Sequence, residues 1–261
     1  MSQKTMELYI HIPFCVKKCQ YCDFLSFAAD EATQAAYVEA LLREIAYYGP
    51  HCSDYLVSTV YIGGGTPSWL TEEWMAQIMS AVRRSFRLAS DAEISIECNP
   101  GTVTDHKFAG YRNAGINRIS IGLQSAVDEE LKILGRIHTF DQFLKTYELA
   151  RKNGFDNVNV DIMSSLPGQT AESFARTLQQ LLWLKPEHIS AYSLIIEEGT
   201  PFYSRYGEGK NSSCSQWDSQ TIWTGRGLKG SPMSLWALPD LPDEEMDREM
   251  YHITKELMAA H

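Results

Sequence analysis

Three of the six cysteines fall within eight positions, Cys15, Cys19 and Cys22, in the stretch HIPFCVKKCQYCDF that runs from His11 to Phe24. Thiolates bind soft metals, so the spacing Cys-x3-Cys-x2-Cys points to zinc or to an iron–sulfur cluster. A structural zinc takes four ligands, and no fourth cysteine or histidine stands nearby at zinc-finger spacing. His11 or Cys98 would have to fold back to complete such a site. Three thiolates suit a [4Fe–4S] cube with one iron left open, and an open iron can chelate a small molecule through an amine and a carboxylate. Buried free thiols are the bland alternative; they are common singly, and three in one loop after a strand argue for metal. Cys98 is expected to pack in a strand end, and Cys52 and Cys214 have no evident partner.

Other residues able to do chemistry stand at intervals along the chain. Gly63, Gly64 and Gly65 follow an apolar run, and glycines there permit positive φ and let backbone amides approach a ligand. Thr66 and Pro67 come next. Glu97 ends the following run, where a carboxylate can accept hydrogen bonds from a ligand or sit in solvent. Gln124, Arg136 and Asp161 occupy comparable places further on. Taken alone, Arg136 reads equally as a surface ion pair and Asp161 as a capping or interior polar residue. Tyr9 alternates with Leu8 and Ile10, so it faces the other side of its strand. A single histidine in a strand, such as His11, is more often a satisfied core residue than a ligand. His138 reads as a proton donor, a ligand or a residue of a helix start.

These residues need elements to hold them. Short runs rich in Ile, Val or Tyr predict strands at Glu7–Ile12, Thr59–Gly63, Glu93–Glu97, Arg118–Gly122, Asn157–Ile162 and His188–Leu194. Amphipathic segments predict helices at Glu31–Tyr48, capped by Asp30; at Glu72–Phe86, capped by Thr71; and at Phe140–Lys152 and Ala171–Leu184, the last stopped by Lys185-Pro186. Six βα units imply an α/β fold with a parallel sheet. An open doubly wound sheet is one arrangement; glycine-rich turns after the strands fit an incomplete (β/α)6 TIM-type barrel better. Both place functional groups at the carboxyl ends of strands. The barrel is expected over residues 1–210. Residues 211–240 break the pattern and hold three of the six Trp without periodicity, which predicts an irregular segment. Residues 241–261 read as the start of a truncated helical part, with Met246, Met250, Ile253 and Leu257 on one core-facing stripe.

Composition narrows the class. The net charge of −10 over 261 residues disfavours a broad basic surface for nucleic acid. There is no apolar run of membrane-spanning length, and MSQKTMELY carries no apolar signal region. Clustered cysteines in a chain of this size predict metal chemistry in a reducing cytoplasm rather than a disulfide framework.

CVKKCQYC resembles the signature of radical S-adenosylmethionine (SAM) proteins, Cys-x3-Cys-x-aromatic-Cys, with Tyr21 as the aromatic. The resemblance implies that Cys15, Cys19 and Cys22 hold a [4Fe–4S] cluster whose open iron binds the amino and carboxylate groups of SAM. Electron donation then cleaves SAM to a 5′-deoxyadenosyl radical. The wider LYIHIPFCVKKCQYCDF is similar to the branch containing anaerobic coproporphyrinogen III dehydrogenase and the HemW-type heme chaperones. Further matches run in order: YIGGGTPSWL, ECNPGT, RISIGLQS, LGRIHT, DIMSSLPGQT and YSLIIEEGTPFY. The resemblance assigns Tyr9, Tyr21, Gly64, Gly65, Thr66, Glu97, Gln124, Arg136 and Asp161 to SAM, with Ile195 as an apolar wall for adenine.

Two functions follow from the branch: oxidative decarboxylation of coproporphyrinogen, or carriage of heme to acceptor proteins. The dehydrogenases have a further cysteine two positions after the third; here that position is Phe24, and the CDF form resembles the chaperones. The implied partners are heme or a porphyrin, heme-acceptor proteins, and an electron donor such as flavodoxin or ferredoxin. Members of the branch continue well past residue 260, and the HemW-type proteins carry a downstream histidine-bearing motif expected to help bind heme. The chain ends ahead of it.

Overall fold

The computed structural model describes residues 4–207 and 238–260. Six strands form one parallel sheet: β1 (Lys4–Ile12), β2 (Tyr55–Gly64), β3 (Leu88–Cys98), β4 (Arg118–Gln124), β5 (Val158–Ser164) and β6 (His188–Ser193). Their spatial order is their chain order, each pairing in parallel with the next. A doubly wound sheet would reverse its order at a switch point; this one never does. Crossovers of one hand between sequential strands keep the helices on one side, and the twisted sheet curls into an incomplete barrel around the other.

The helices are α1 (Glu31–Tyr48), α2 (Glu72–Ser85), α3 (Asp105–Asn113), α4 (Asp128–Ile133), α5 (Phe140–Lys152), α6 (Ala171–Leu184), α7 (Pro201–Tyr206) and α8 (Glu244–Ala259). Along the outer layer α1 packs on α2, α2 on α3, α3 on α5, and α8 on α6. The starts are chemically fixed. Asp30 and Thr71 accept from the amides of Thr33 and Trp74, as the sequence predicts. Thr139 with Gln142, and Thr170 with Ser173, form reciprocal capping boxes. Lys185 ends α6 in the left-handed conformation, φ 53°, ahead of Pro186.

Period-two alternation decides where the core lies. On the convex face Ile10, Ile12, Val60, Ile62, Ile94, Ile96, Ile119, Ile121, Val158, Val160 and Ile162 are buried beneath the helices. Met250 is fully buried in the same core, with Met246, Ile253 and Leu257 beside it, so the methionine stripe of α8 is packing surface. A smaller apolar cluster, Leu134, Met163, Leu166, Phe202 and Leu238, lies at the carboxyl end of the sheet.

The structure departs from the sequence reading in several places. β5 continues through Ser164, so Asp161 lies within the strand rather than at its end. Helix α3 was not expected, because DHKFAGYRN offers only Phe108 and Tyr111 to bury. The irregular segment expected at 211–240, and Cys214 within it, fall almost wholly outside the described residues.

Candidate functional site

The loop that leaves β1 carries Cys15, Cys19 and Cys22, all free thiols, the first buried and the others partly so. The loop is tied down at both ends and in the middle. The amide of Cys15 donates to the Phe27 carbonyl at 3.0 Å and that of Phe27 to Pro13 at 2.9 Å. The peptide of Gln20 is held on both sides: its N–H donates to Leu134 and its carbonyl accepts from the amide of Phe202, each at 3.0 Å. Tyr21 packs against the small apolar cluster. Burial is the main reason its phenol is held above the ordinary range; the Arg136 charge works the other way.

The glycine turn lies directly on this loop. The amide of Gly65 donates to Ile12 at 2.8 Å and that of Thr66 to Phe14 at 2.7 Å. A methyl group on Gly65 would stand 2.7 Å from the Phe14 carbonyl oxygen and 3.0 Å from the Cys15 sulfur. Gly64 has φ +120°, and a methyl group there would meet the His11 ring at 2.6 Å. Only glycine lets β2 come this close to the thiol loop. The Thr66 hydroxyl points its proton at Cys15 Sγ, 3.5 Å away.

Below the loop, the concave face is polar. Glu97 accepts from the Gly64 amide at 3.0 Å and from the Tyr61 hydroxyl at 2.9 Å. Burial outweighs these bonds and raises its carboxyl above the usual range. Tyr9 stacks on Tyr61, ring centroids 6.2 Å apart, and stays 60% exposed on the open side, so it faces away from Leu8 and Ile10 as alternation predicts. Gln124 is buried at the end of β4 with φ 75°, a left-handed conformation that is costly without glycine; its Oε1 accepts from the Tyr192 hydroxyl at 3.1 Å. Asp161 accepts from Ser120 at 2.9 Å and from Asn159 at 2.7 Å. Arg136 reaches in from the loop after α4, donating to the Gly122 carbonyl at 2.6 Å and to Asn99 at 2.8 Å, with Cys19 Sγ at 3.8 Å. Its Nε is buried with no partner among the described residues. A cleft lined by Cys19, Asn99, Arg136 and His138 adjoins the loop.

The thirteen residues singled out from the sequence thus lie about the carboxyl ends and concave face of the sheet. Ile195 lies just past the carboxyl end of β6 and is 67% exposed. Tyr61, Asn99 and Tyr192 were missed. Alternation with Tyr9 and Glu97 would have exposed the two tyrosines; Asn99 follows Cys98 in ECNPGT without any signal of its own.

The residues that could have completed a zinc site are committed elsewhere. Both ring nitrogens of His11 are engaged, by the Tyr9 hydroxyl at 3.1 Å and the Leu25 carbonyl at 2.9 Å. Cys98 is buried on the convex face, where burial pushes its thiol up to about 12. Among the described residues no three His, Cys, Asp or Glu side chains converge as a single-ion site. A cluster asks for something else, one thiolate for each of three irons. Three free thiols, a glycine cradle against the first, and donors aimed at two sulfurs suit that demand.

The sequence matches the family model of the Radical SAM superfamily over residues 9–181. The chain belongs to the radical SAM superfamily. Its family implies a [4Fe–4S] cluster and SAM. The chain is 45% identical over 201 residues to the heme chaperone HemW of Escherichia coli K12, covering 77% of this chain and 53% of that protein. With HemW of Bacillus subtilis 168 it shares 33% identity over 254 residues, 97% of this chain and 60% of the relative. Coproporphyrinogen III oxidase (HemN) from Escherichia coli, a radical SAM enzyme, superposes with a TM-score of 0.80 at 27% identity, covering 99% of this chain and 53% of that one. The radical SAM chain described here therefore spans little more than half the length of these relatives. Among the described residues no helix is long and apolar enough to cross a membrane.

Proposed function

We propose that this chain is the SAM-binding core of a HemW-type heme chaperone. The observation that carries the choice within the branch is Phe24, which stands where the dehydrogenases have a fourth cysteine; the greater identity to HemW than to HemN supports it. In this reading Cys15, Cys19 and Cys22 hold a [4Fe–4S] cluster, which supplies low-potential electrons and an open iron. The Gly64–Gly65 turn and Thr66 receive the amino-acid end of SAM. Glu97, held by Tyr61 and the Gly64 amide, accepts from its ammonium group. Tyr9, Tyr21, Gln124, Arg136, Asp161 and Ile195 surround the remainder. Arg136 brings an unpaired buried N–H and a charge that a carboxylate would satisfy. Heme, acceptor proteins, and a flavodoxin- or ferredoxin-type electron donor are the partners, and the cytoplasm is the compartment.

The decisive experiment incubates the anaerobically reconstituted, reduced protein with SAM and either heme or coproporphyrinogen III. Stable heme binding without turnover supports the chaperone. Vinyl-bearing products would reject it in favour of the dehydrogenase, the second reading that the TM-score to HemN keeps in play. Finding one zinc per chain instead of iron and sulfide would reject both.

A further inference from the structure

The Asn99 carboxamide is the joint between two donors that address two different cysteine sulfurs. Its Oδ1 accepts from Arg136 Nη2 at 2.8 Å, and its Nδ2 donates to Thr66 Oγ1 at 2.8 Å. Beyond those partners, Arg136 Nη1 faces Cys19 Sγ at 3.8 Å and the Thr66 hydroxyl faces Cys15 Sγ at 3.5 Å. The direction of every bond in this chain is fixed from one end. A guanidinium has only N–H donors, so the amide must turn its oxygen to Arg136 and its nitrogen to Thr66. An N–H then occupies the threonine oxygen, and the single hydroxyl proton is left to point at Cys15. With the amide reversed, Thr66 would donate to Asn99 and the sulfur would lose its proton donor.

The backbone of Asn99 is held as firmly. Its amide donates to Ser68 Oγ at 3.2 Å, and its carbonyl accepts from the Thr102 hydroxyl at 2.7 Å. Lys107 Nζ, donating to the carbonyls of Ser68 and Thr102 at 2.8 and 3.3 Å, braces that turn from behind.

We propose that Asn99 is a positioning residue that sets the reduction potential of the cluster by orienting a hydroxyl and a guanidinium onto Cys15 and Cys19. The inference rests on the cluster reading above. Donors directed at thiolate sulfur stabilise the more negatively charged reduced state, so they raise the potential. Asn99 needs no contact with cluster or SAM to do this.

The test is a potentiometric titration of the reconstituted full chain followed by electron paramagnetic resonance, with iron and sulfide content measured alongside. Asn99→Ala should load the same iron and sulfide as the parent and titrate at a more negative potential. The reduced-to-oxidised ratio at a fixed ambient potential should fall about tenfold, equivalent to about 59 mV for one electron. Asn99→Asp decides the case if the alanine variant fails to fold. Its carboxylate still accepts from Arg136 but takes the Thr66 proton for itself, so its potential should also fall. In a Thr66→Val background, Asn99→Ala should have a smaller effect, because one of its two arms is already gone. A loaded variant with the parent potential overturns the proposal. So does loss of the cluster from both Asn99 variants while circular dichroism shows the fold intact, since Asn99 would then be required for binding rather than tuning. If the parent chain itself takes up no cluster, the earlier reading has failed, and the two failures are told apart at that first step.

Discussion

The six strands present two faces built from alternating residues of the same runs. The convex face is isoleucine and valine, sealed by helices; the concave face is Tyr9 stacked on Tyr61, Tyr61 bonded to Glu97, Ser120 and Asn159 bonded to Asp161, and Tyr192 bonded to Gln124. Adjacent residues therefore do different work. Cys98 points into the core while Glu97 points to the open side. The contrast teaches that stability and chemistry are separated here by the pleat of a strand, so a substitution on one face should leave the other's property largely intact.

The sharpest break of that separation is Cys19→Ala. It should abolish uptake of the iron–sulfur cluster, read as loss of iron, sulfide and brown colour after anaerobic reconstitution, while the denaturation midpoint of the metal-free chain stays near that of the parent. The reverse comes from the convex side. Phe108 is fully buried there, and Phe108→Ala should cost about 3–5 kcal/mol in denaturant unfolding, by lost burial and the cavity left behind. What remains folded should still load iron.

His138 tests the boundary between the faces. Its buried Nε2–H donates to the Leu123 carbonyl at 3.2 Å, and burial, helped by the Arg136 charge, lowers its pKa from 6.5 to about 3. The folded chain thus keeps the imidazole neutral where the unfolded chain takes up a proton. Stability from this residue is whole above pH 6.5 and is lost as pH falls from 6.5 towards 3, by a few kcal/mol in all. His138→Gln should flatten that part of the acid limb in unfolding measurements across pH; an unchanged slope would refute the burial. Gly65→Ala introduces a methyl group against the Phe14 carbonyl and Cys15, and should destabilise by about 1–3 kcal/mol while slowing cluster uptake. Smallest is Tyr192→Phe on the concave face, which gives up the bond to Gln124 and should cost about 1 kcal/mol or less.

How much of this could be read beforehand depended on periodicity. The strands and the helices α1, α2, α5, α6 and α8 carry repeated apolar residues and cap signals, and each overlaps its expected range, although β1, β2 and β3 start earlier, at Lys4, Tyr55 and Leu88. The short α4 and α7, six residues each, have too few turns to show a stripe, and α3 buries only a pair. Within β5, Met163 and Ser164 lack the β-branched signature, so the strand seemed to stop at Ile162. The cysteines were legible because three thiols in eight positions have few other uses. Asn99 was not, because its role arises from Arg136 and Thr66, residues distant in sequence whose meeting only the folded sheet arranges.

The pinning of Gln20 between Leu134 and Phe202 carries a further consequence for biosynthesis. The three thiols leave the ribosome early, yet the peptide between two of them gains its second partner only when α7 has been made. A nascent chain arrested before residue 202 would present its cysteines on a loop whose Gln20 peptide is still held from one side only, so stable metal insertion is expected only once α7 has been made.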